Sequence, residues 1–76
     1  MKAQLIAIFA EIFEGIEINE SFVRADCPEW DSLAHLRVVS AIESAFDLEI
    51  EPEEMPSIDS FQSALALIEK KVATGA

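Results

Sequence analysis

Three stretches of this chain place an apolar residue at every third or fourth position, and this spacing constrains the fold more than any other feature. The first stretch lies within residues 3–16, the second begins at Asp31 and Ser32, and the third begins near Asp59 and Ser60. Because an α-helix has about 3.6 residues per turn, such residues share a face, and each stretch is predicted to be an amphipathic helix. The three apolar sets are Leu5, Phe9, Ile12, Phe13 and Ile16; Leu33, Leu36, Val39, Ile42 and Phe46; and Phe61, Leu65, Ile68 and Val72.

The segments between these helices carry signals that should end them. Gly15 can help to end the first helix, and either residue at the start of the second can cap it. Residues 17–31 form a long connection without sustained periodicity. The acidic residues 47–56 are broken by two prolines and have room for one short helical turn. No segment reads as a strand, so we predict an all-α fold, a small four-helix bundle with three main helices and one short helix.

Length and charge narrow the function. The 76 residues are expected to form one domain, residues 1–76. Asp and Glu number 15 against 5 Lys and Arg, so the net charge is -10. Nucleic acid is disfavoured as a partner because its recognition needs a cationic surface, whereas a basic protein surface would be attracted. No Lys or Arg lies between Val38 and Glu69. This acidic stretch is either a docking surface or a solvated face.

Cysteine content and hydropathy predict a cytoplasmic protein. Cys27 is the only cysteine, so no intramolecular disulfide can form. The N-terminal residues lack the charged region and cleavage pattern of a signal peptide. No apolar run approaches the roughly 20 residues of a membrane-spanning helix. We expect a cytoplasmic monomer that does not insert into membranes.

Catalytic and metal-binding patterns are weak. Cys27 and His35 are the only thiol and imidazole, and a chain this small leaves little room for the cleft that a Cys–His pair needs. The acidic stretch from Asp47 resembles a calcium loop superficially, but Pro52 replaces the required glycine and Ile58 occupies the closing glutamate position. We therefore expect no enzymatic activity and no metal site.

Ser32 is the most informative polar residue. It follows a long loop and opens a helix, where free N–H groups and a partial positive charge tolerate an attached phosphate. Taken alone, the tripeptide Asp31-Ser32-Leu33 is more simply explained as helix capping.

The wider sequence around Ser32 changes that balance, because from Ser21 to Val72 the chain resembles acyl carrier proteins. The tripeptide follows a long loop and opens a helix that ends in a Glu-x-x-Phe-x-Leu-x-Ile pattern, after which come an acidic segment and an apolar last helix. The residues that carry the resemblance are Ser21-Phe22-Val23, Asp31-Ser32-Leu33, the run from Ala41 to Ile50, Glu53-Glu54 and Ile58.

The resemblance implies a carrier rather than an enzyme. A phosphopantetheinyl transferase would attach 4′-phosphopantetheine, taken from coenzyme A, to the Ser32 hydroxyl. The arm would hold an acyl group as a thioester and present it to separate loading and transferring enzymes. In the family, Asp31 helps to present the serine and Leu33 lies at the partner surface. Carriage of an aminoacyl group, or a plain helical interaction domain in which Ser32 is only a cap, are the alternatives.

Departures from the family pattern favour a specialised acyl, polyketide or surface-polymer pathway over bulk fatty-acid synthesis. The glycine that often stands two residues before the aspartate is replaced by Glu29, and the exposed face of the second helix carries His35 and Arg37 in place of acids. We therefore place docking mainly on the acidic segment after Phe46 together with Trp30 and Leu33. The residues expected to contact partners, besides Leu33, are Trp30, Arg37, Glu43, Asp47, Glu49, Glu51, Glu53 and Glu54.

Single residues near Ser32 admit two interpretations each. Trp30 is either an anchor of the long loop on the core, which we favour, or a partner contact. His35 is predicted to be an ordinary surface histidine, with contact to the phosphate or a partner as the alternative. Cys27 is predicted to be a partly buried small residue. The cargo is predicted to lie between the helices, against Leu36, Val39, Ile42, Leu65 and Ile68.

Overall fold

Three α-helices and two short 3₁₀ helices make up the fold. The computed structural model describes residues 1–74, excluding the side chain of Thr74. Helix α1 spans Lys2–Ile12, α2 spans Ser32–Phe46 and α3 spans Phe61–Thr74. The 3₁₀ helices Arg24–Asp26 and Pro52–Ser57 lie in the two connections. The described residues contain no strand, and α1 packs against both α2 and α3. The protein is a small all-α bundle, as the periodicity predicts.

Helix α1 is shorter than predicted. It ends at Ile12 rather than Ile16, and the backbone N–H of Phe13 closes the last turn on the carbonyl of Phe9. Gly15 has a φ of +82°, in the left-handed region that favours glycine, and lies in the turn beyond the helix. Phe13 is nevertheless buried and Ile16 is partly buried. The apolar pattern continues past the helix because the turn itself packs on the core.

Side-chain caps fix the starts of the other two α-helices. The Asp31 carboxylate accepts a hydrogen bond from the Ala34 N–H at 2.9 Å, which makes Asp31 the N-cap of α2. Helix α2 ends at Asp47, whose φ of 51° is left-handed, a conformation that Asp tolerates better than most residues. Before α3, the Ser60 hydroxyl accepts from the Ser63 N–H, and the Ser63 hydroxyl accepts from the Ser60 N–H. The predicted start near Asp59 and Ser60 is confirmed.

An aromatic cluster forms the centre of the core. Phe9 has four ring neighbours, with centroids 5.4–6.2 Å away, and the rings of Phe22 and Trp30 stack at 5.7 Å. Phe22 and Trp30 belong to the long connection, so their burial holds that connection against the helices. A backbone bridge between Val23 and Ser60 attaches the same connection to the start of α3. The rings of the cluster are Phe9, Phe13, Phe22, Trp30 and Phe61.

The predicted apolar face of α2 is wrong at its first turns. Leu33 is 61% exposed and Leu36 is 55% exposed. Repeated steps of three residues drift by about 60° each around a helix, so Leu33 and Ile42 lie on opposite sides. The buried face of α2 is formed by His35, Val38, Val39 and Ile42.

The predicted face of α3 is confirmed except at its end. Phe61, Leu65 and Ile68 are buried. Val72, in the last turn of α3, is 47% exposed, which corrects its predicted place on the buried face. None of the helices in residues 1–74 is both long and apolar enough to span a membrane.

Candidate functional site

Ser32 is the first residue of α2 and its side chain lies at the surface. The capping role belongs to its neighbour, because the Asp31 carboxylate takes the free Ala34 N–H. Within residues 1–74 the Ser32 hydroxyl makes no hydrogen bond. The sequence left open which of the two residues caps the helix, and the structure assigns the cap to Asp31. Ser32 therefore presents a hydroxyl that the fold does not use.

An open groove of about 380 Å³ begins beside Ser32. One side of the groove is formed by the first two turns of α2. The other side is formed by the second 3₁₀ helix, Pro52–Ser57, which lies in the acidic connection after α2. Its wall is mostly apolar. The lining residues are Arg24, Ser32, His35, Leu36, Pro52, Met55 and Pro56.

Two buried rings, those of Trp30 and His35, are hydrogen-bonded to each other next to this groove. The Trp30 indole N–H donates to His35 Nδ1 at 3.0 Å, and His35 Nε2 lies 2.9 Å from the Met55 carbonyl oxygen. An indole nitrogen can only donate, so His35 Nδ1 is the acceptor and Nε2 carries the hydrogen that is given to Met55. His35, which lies on α2, is thus hydrogen-bonded both to the long connection and to the second 3₁₀ helix.

Two predictions about these rings have different outcomes. Trp30 is 3% exposed, so the loop-anchor interpretation is confirmed and its assignment to the partner surface is wrong. His35 is 8% exposed, so the prediction of a surface histidine is wrong. Its position one turn after Ser32 suggested exposure, but the buried face of α2 passes through residue 35 and both ring nitrogens have partners. In the sequence, the only indication that these two rings could meet is their position: Trp30 lies just before α2, and His35 lies five residues later in its first turn.

Cys27 is 4% exposed, so it is buried more completely than the partly buried position predicted for it. Burial raises the pKa of the Cys27 thiol, and the nearby Glu29 carboxylate, 3.7 Å from Sγ, raises it further. A raised thiol pKa disfavours the nucleophilic thiolate. Neither nitrogen of His35 is available to activate this thiol, because Trp30 and Met55 occupy them.

The acidic residues fall into two groups. Glu43 and Glu54 are partly buried and serve the fold: Glu43 accepts the Ile50 N–H at 2.8 Å, and Glu54 accepts the Glu51 N–H and pairs with Lys71 at 2.8 Å. The hydrogen bond from Lys71 is the main cause of the lowered pKa of Glu54. The other group is exposed and consists of Asp47, Glu49, Glu51 and Glu53.

The outer face of α2 next to Ser32 is apolar and cationic. Leu33, Leu36 and Arg37 are all exposed there. The exposure of Leu33 and Arg37 agrees with their predicted place on the partner surface, whereas Leu36 was predicted only as part of the apolar stripe and as a cargo contact. This patch lies near the start of α2, and the exposed acids of residues 47–53 follow the end of α2.

Arg24 is a groove residue that the sequence analysis missed. It is partly buried in the first 3₁₀ helix, and its Nε donates to the Trp30 carbonyl at 2.9 Å. The one signal available was its position as the only cation between Lys2 and Arg37.

Fold and site together define a small helical bundle with an exposed, unbonded serine at the start of its second α-helix. Comparison with protein-family models, with curated proteins and with solved structures returned no match for this chain. Within residues 1–74, no three or more His, Cys, Asp or Glu side chains come together in a way that could hold a metal ion.

Proposed function

We propose that this protein is an acyl carrier protein, with a bundle of the acyl-carrier type and a 4′-phosphopantetheine arm on Ser32. The proposal rests on the different roles of Asp31 and Ser32 at the start of α2. Asp31 caps the helix and leaves the Ser32 hydroxyl exposed and without a protein partner. A serine needed only for capping would use its hydroxyl on the helix N–H groups. The resemblance from Ser21 to Val72 points to the same residue.

The residues around Ser32 suit the attachment of such a group. In the proposed reaction, Ser32 Oγ forms a bond to the phosphorus next to the pantetheine portion of coenzyme A. The diphosphate P–O bond breaks, adenosine 3′,5′-bisphosphate leaves, and the serine proton passes to the transferase. The exposed first turn of α2 gives the transferase access, and the free N–H groups there tolerate the charge of the product. Once bound, the group supplies a thiol that holds the acyl cargo as a thioester.

The groove beside Ser32 offers the arm an apolar surface. Leu36 and Met55 line it, together with two prolines of the second 3₁₀ helix. Of the residues predicted to contact the cargo, Leu36 lies in the groove, whereas Val39, Ile42, Leu65 and Ile68 are buried in the core. Insertion of cargo between the helices stays a prediction, and it would require the core to open.

The proposed partner surface combines the exposed leucines of α2 with the exposed acids that follow it. Leu33 and Leu36 would supply the apolar anchor, taking the role that Trp30 cannot fill from the core. Glu49, Glu51 and Glu53 would steer basic partners. Arg37 places a cation beside the anchor, and this departure from an acidic face supports a specialised acyl, polyketide or surface-polymer pathway in the cytoplasm.

Intact-protein mass spectrometry tests the carrier function. Co-expression with a broad-specificity phosphopantetheinyl transferase should add the mass of one arm to the wild type. Ser32→Ala should gain nothing, whereas Ser40→Ala, which changes another exposed serine of α2, should be modified like the wild type. A wild type that several transferases leave unmodified would refute the proposal and favour a helical interaction domain.

Charge reversal tests the partner surface. The triple variant E49K/E51K/E53K should slow modification with a marked salt dependence, and Leu33→Ala should slow it at every salt concentration. Arg37→Glu should improve recognition by fatty-acid enzymes. Unchanged rates in the triple variant, combined with loss of cognate loading in Arg37→Glu, would confine docking to α2.

A further inference from the structure

We infer that Arg24 binds the phosphate of the group attached to Ser32 and holds the arm against the groove. The inference rests on the proposed function, because the phosphate reaches the protein only through modification of Ser32. It assigns a ligand-binding role to a residue of the long connection that lies outside the serine motif.

The position of Arg24 is set by the core rather than by solvent. Its backbone N–H donates to the Asp59 carbonyl at 2.8 Å, and its Nε donates to the Trp30 carbonyl at 2.9 Å. Trp30 is itself buried in the aromatic cluster. These two hydrogen bonds hold Arg24 in place, and Arg24 lines the same groove as Ser32.

The terminal amino groups of this guanidinium have no acceptor in residues 1–74. Arg24 forms no ion pair there, although the chain contains 15 acidic residues. By contrast, Lys2 pairs with Glu20 at 3.1 Å and Lys71 pairs with Glu54 at 2.8 Å. A partly buried arginine with Nε occupied and its amino groups free retains a planar set of donors, which matches the oxygens of a phosphate.

Charge complementarity selects the occupant. Apart from Ser32, the other groove residues are apolar or have their side-chain polar atoms engaged: both His35 nitrogens bond to protein groups, and Leu36 and Met55 offer no charge. The phosphate would be bonded directly to Ser32 Oγ at the same groove. The anionic part of the arm is therefore placed at the groove that Arg24 also lines, wherever the thiol end points. Binding there would direct the rest of the arm along the apolar wall.

Thermal unfolding of modified and unmodified protein tests this assignment. The wild type, Arg24→Gln and the control Lys2→Gln, which removes an exposed cation that does not line the groove, are each prepared in both forms, and the shift in Tm on modification is compared at low salt. Modification should raise the Tm of the wild type and of Lys2→Gln by about 2–5 °C, and that of Arg24→Gln by less than about 1 °C. Since each variant is its own reference, loss of the Arg24–Trp30 hydrogen bond cancels.

Each result has a defined meaning. An equal Tm gain in Arg24→Gln overturns the role of Arg24 while leaving the carrier function in place. Absence of added mass on the wild type overturns the carrier function and the Arg24 assignment with it. If Arg24→Gln does not fold, ¹⁵N NMR of the wild type decides. The Arg24 Nε–H signal must shift on modification while that of Arg37 stays, and an unmoved Arg24 signal overturns the inference.

Discussion

The two connections on either side of α2 are held by different kinds of interaction. The first, which runs from the end of α1 to Ser32, buries the rings of Phe22 and Trp30 in the aromatic cluster. The second, which runs from Asp47 to the start of α3, contains no aromatic residue; it buries Ile50 and Ile58, and Glu43 and Glu54 add polar contacts. The first connection is therefore stabilised mainly by burial of aromatic rings, and the second by burial of smaller side chains together with hydrogen bonds and charge.

This difference predicts that salt affects the second connection more than the first. Burial of large rings contributes several kcal/mol and does not respond to salt, whereas exposed ion pairs contribute about 0.2–1 kcal/mol and are screened. The His35 side chain is bonded to both regions, to Trp30 of the first and to the Met55 carbonyl of the second. Variants that remove one kind of interaction at a time should separate the two regions.

The largest effect is expected from Trp30→Ala. Loss of a fully buried indole costs about 3–5 kcal/mol, comparable to the whole stability of a domain this small, so the variant should be largely unfolded at room temperature. Urea denaturation followed by far-UV circular dichroism measures this loss. Leu33→Ala, at an exposed site, should change stability by less than about 0.5 kcal/mol. A loss below about 1.5 kcal/mol for Trp30→Ala would mean that the aromatic cluster is not the main anchor of the first connection.

His35→Ala should have the next largest effect, about 2–3 kcal/mol, because it leaves a buried indole N–H and the Met55 carbonyl without their partner. The same denaturation experiment applies, and the indole N–H proton signal of Trp30 should shift. Arg37→Ala, two residues along the same helix but exposed, is the control. Comparable losses in the two variants would argue against a structural bridge at His35.

A smaller effect is expected at the start of the second connection. Glu43→Ala removes the acceptor of the buried Ile50 N–H and should cost about 1–2 kcal/mol. Glu43→Gln keeps an acceptor oxygen and should lose less than half as much. If both variants are as stable as the wild type, Glu43 belongs with the exposed acids and becomes a candidate partner contact again.

The smallest effects are expected from the pH dependence of Glu51 and Glu54, which should have opposite signs. The pKa of Glu54 is lowered from its ordinary 4.5, chiefly by its hydrogen bond to Lys71, so its contribution is present above 4.5 and is lost as pH falls through the folded pKa. The pKa of Glu51 is raised from 4.5, chiefly by the charge of Glu49, so its contribution is present below 4.5 and is lost as pH rises through the folded pKa.

Thermal unfolding at two pH values measures this pair. At about pH 7, Glu54→Gln should be less stable than the wild type and Glu51→Gln slightly more stable, and both differences should shrink at about pH 3. Changes of the same sign in the two variants would show that general repulsion dominates the second connection.

The sequence predicted the helices better than it predicted their buried faces. The starts of α2 and α3 were set by local chemistry, since Asp31 and Ser60 lie immediately before apolar periodic runs. The stripe containing Leu33 was misassigned because repeated steps of three residues drift around the helix, so its two ends lie on opposite sides. Which face is buried depends on where α1 packs, and the local pattern does not contain that information.

The sequence by itself determined an all-α bundle, three amphipathic helices and a serine at the start of the second. These features follow from periodicity and capping, which act over a few residues. Only the tertiary structure decided that Asp31 is the cap and Ser32 is free, that His35 is buried against Trp30, and that Arg24 shares a groove with Ser32. The Arg24 and His35 arrangements depend on where the long connection packs, and the free Ser32 hydroxyl follows from the cap being made by Asp31. Contacts between residues far apart along the chain are settled by packing, which a local sequence pattern does not contain.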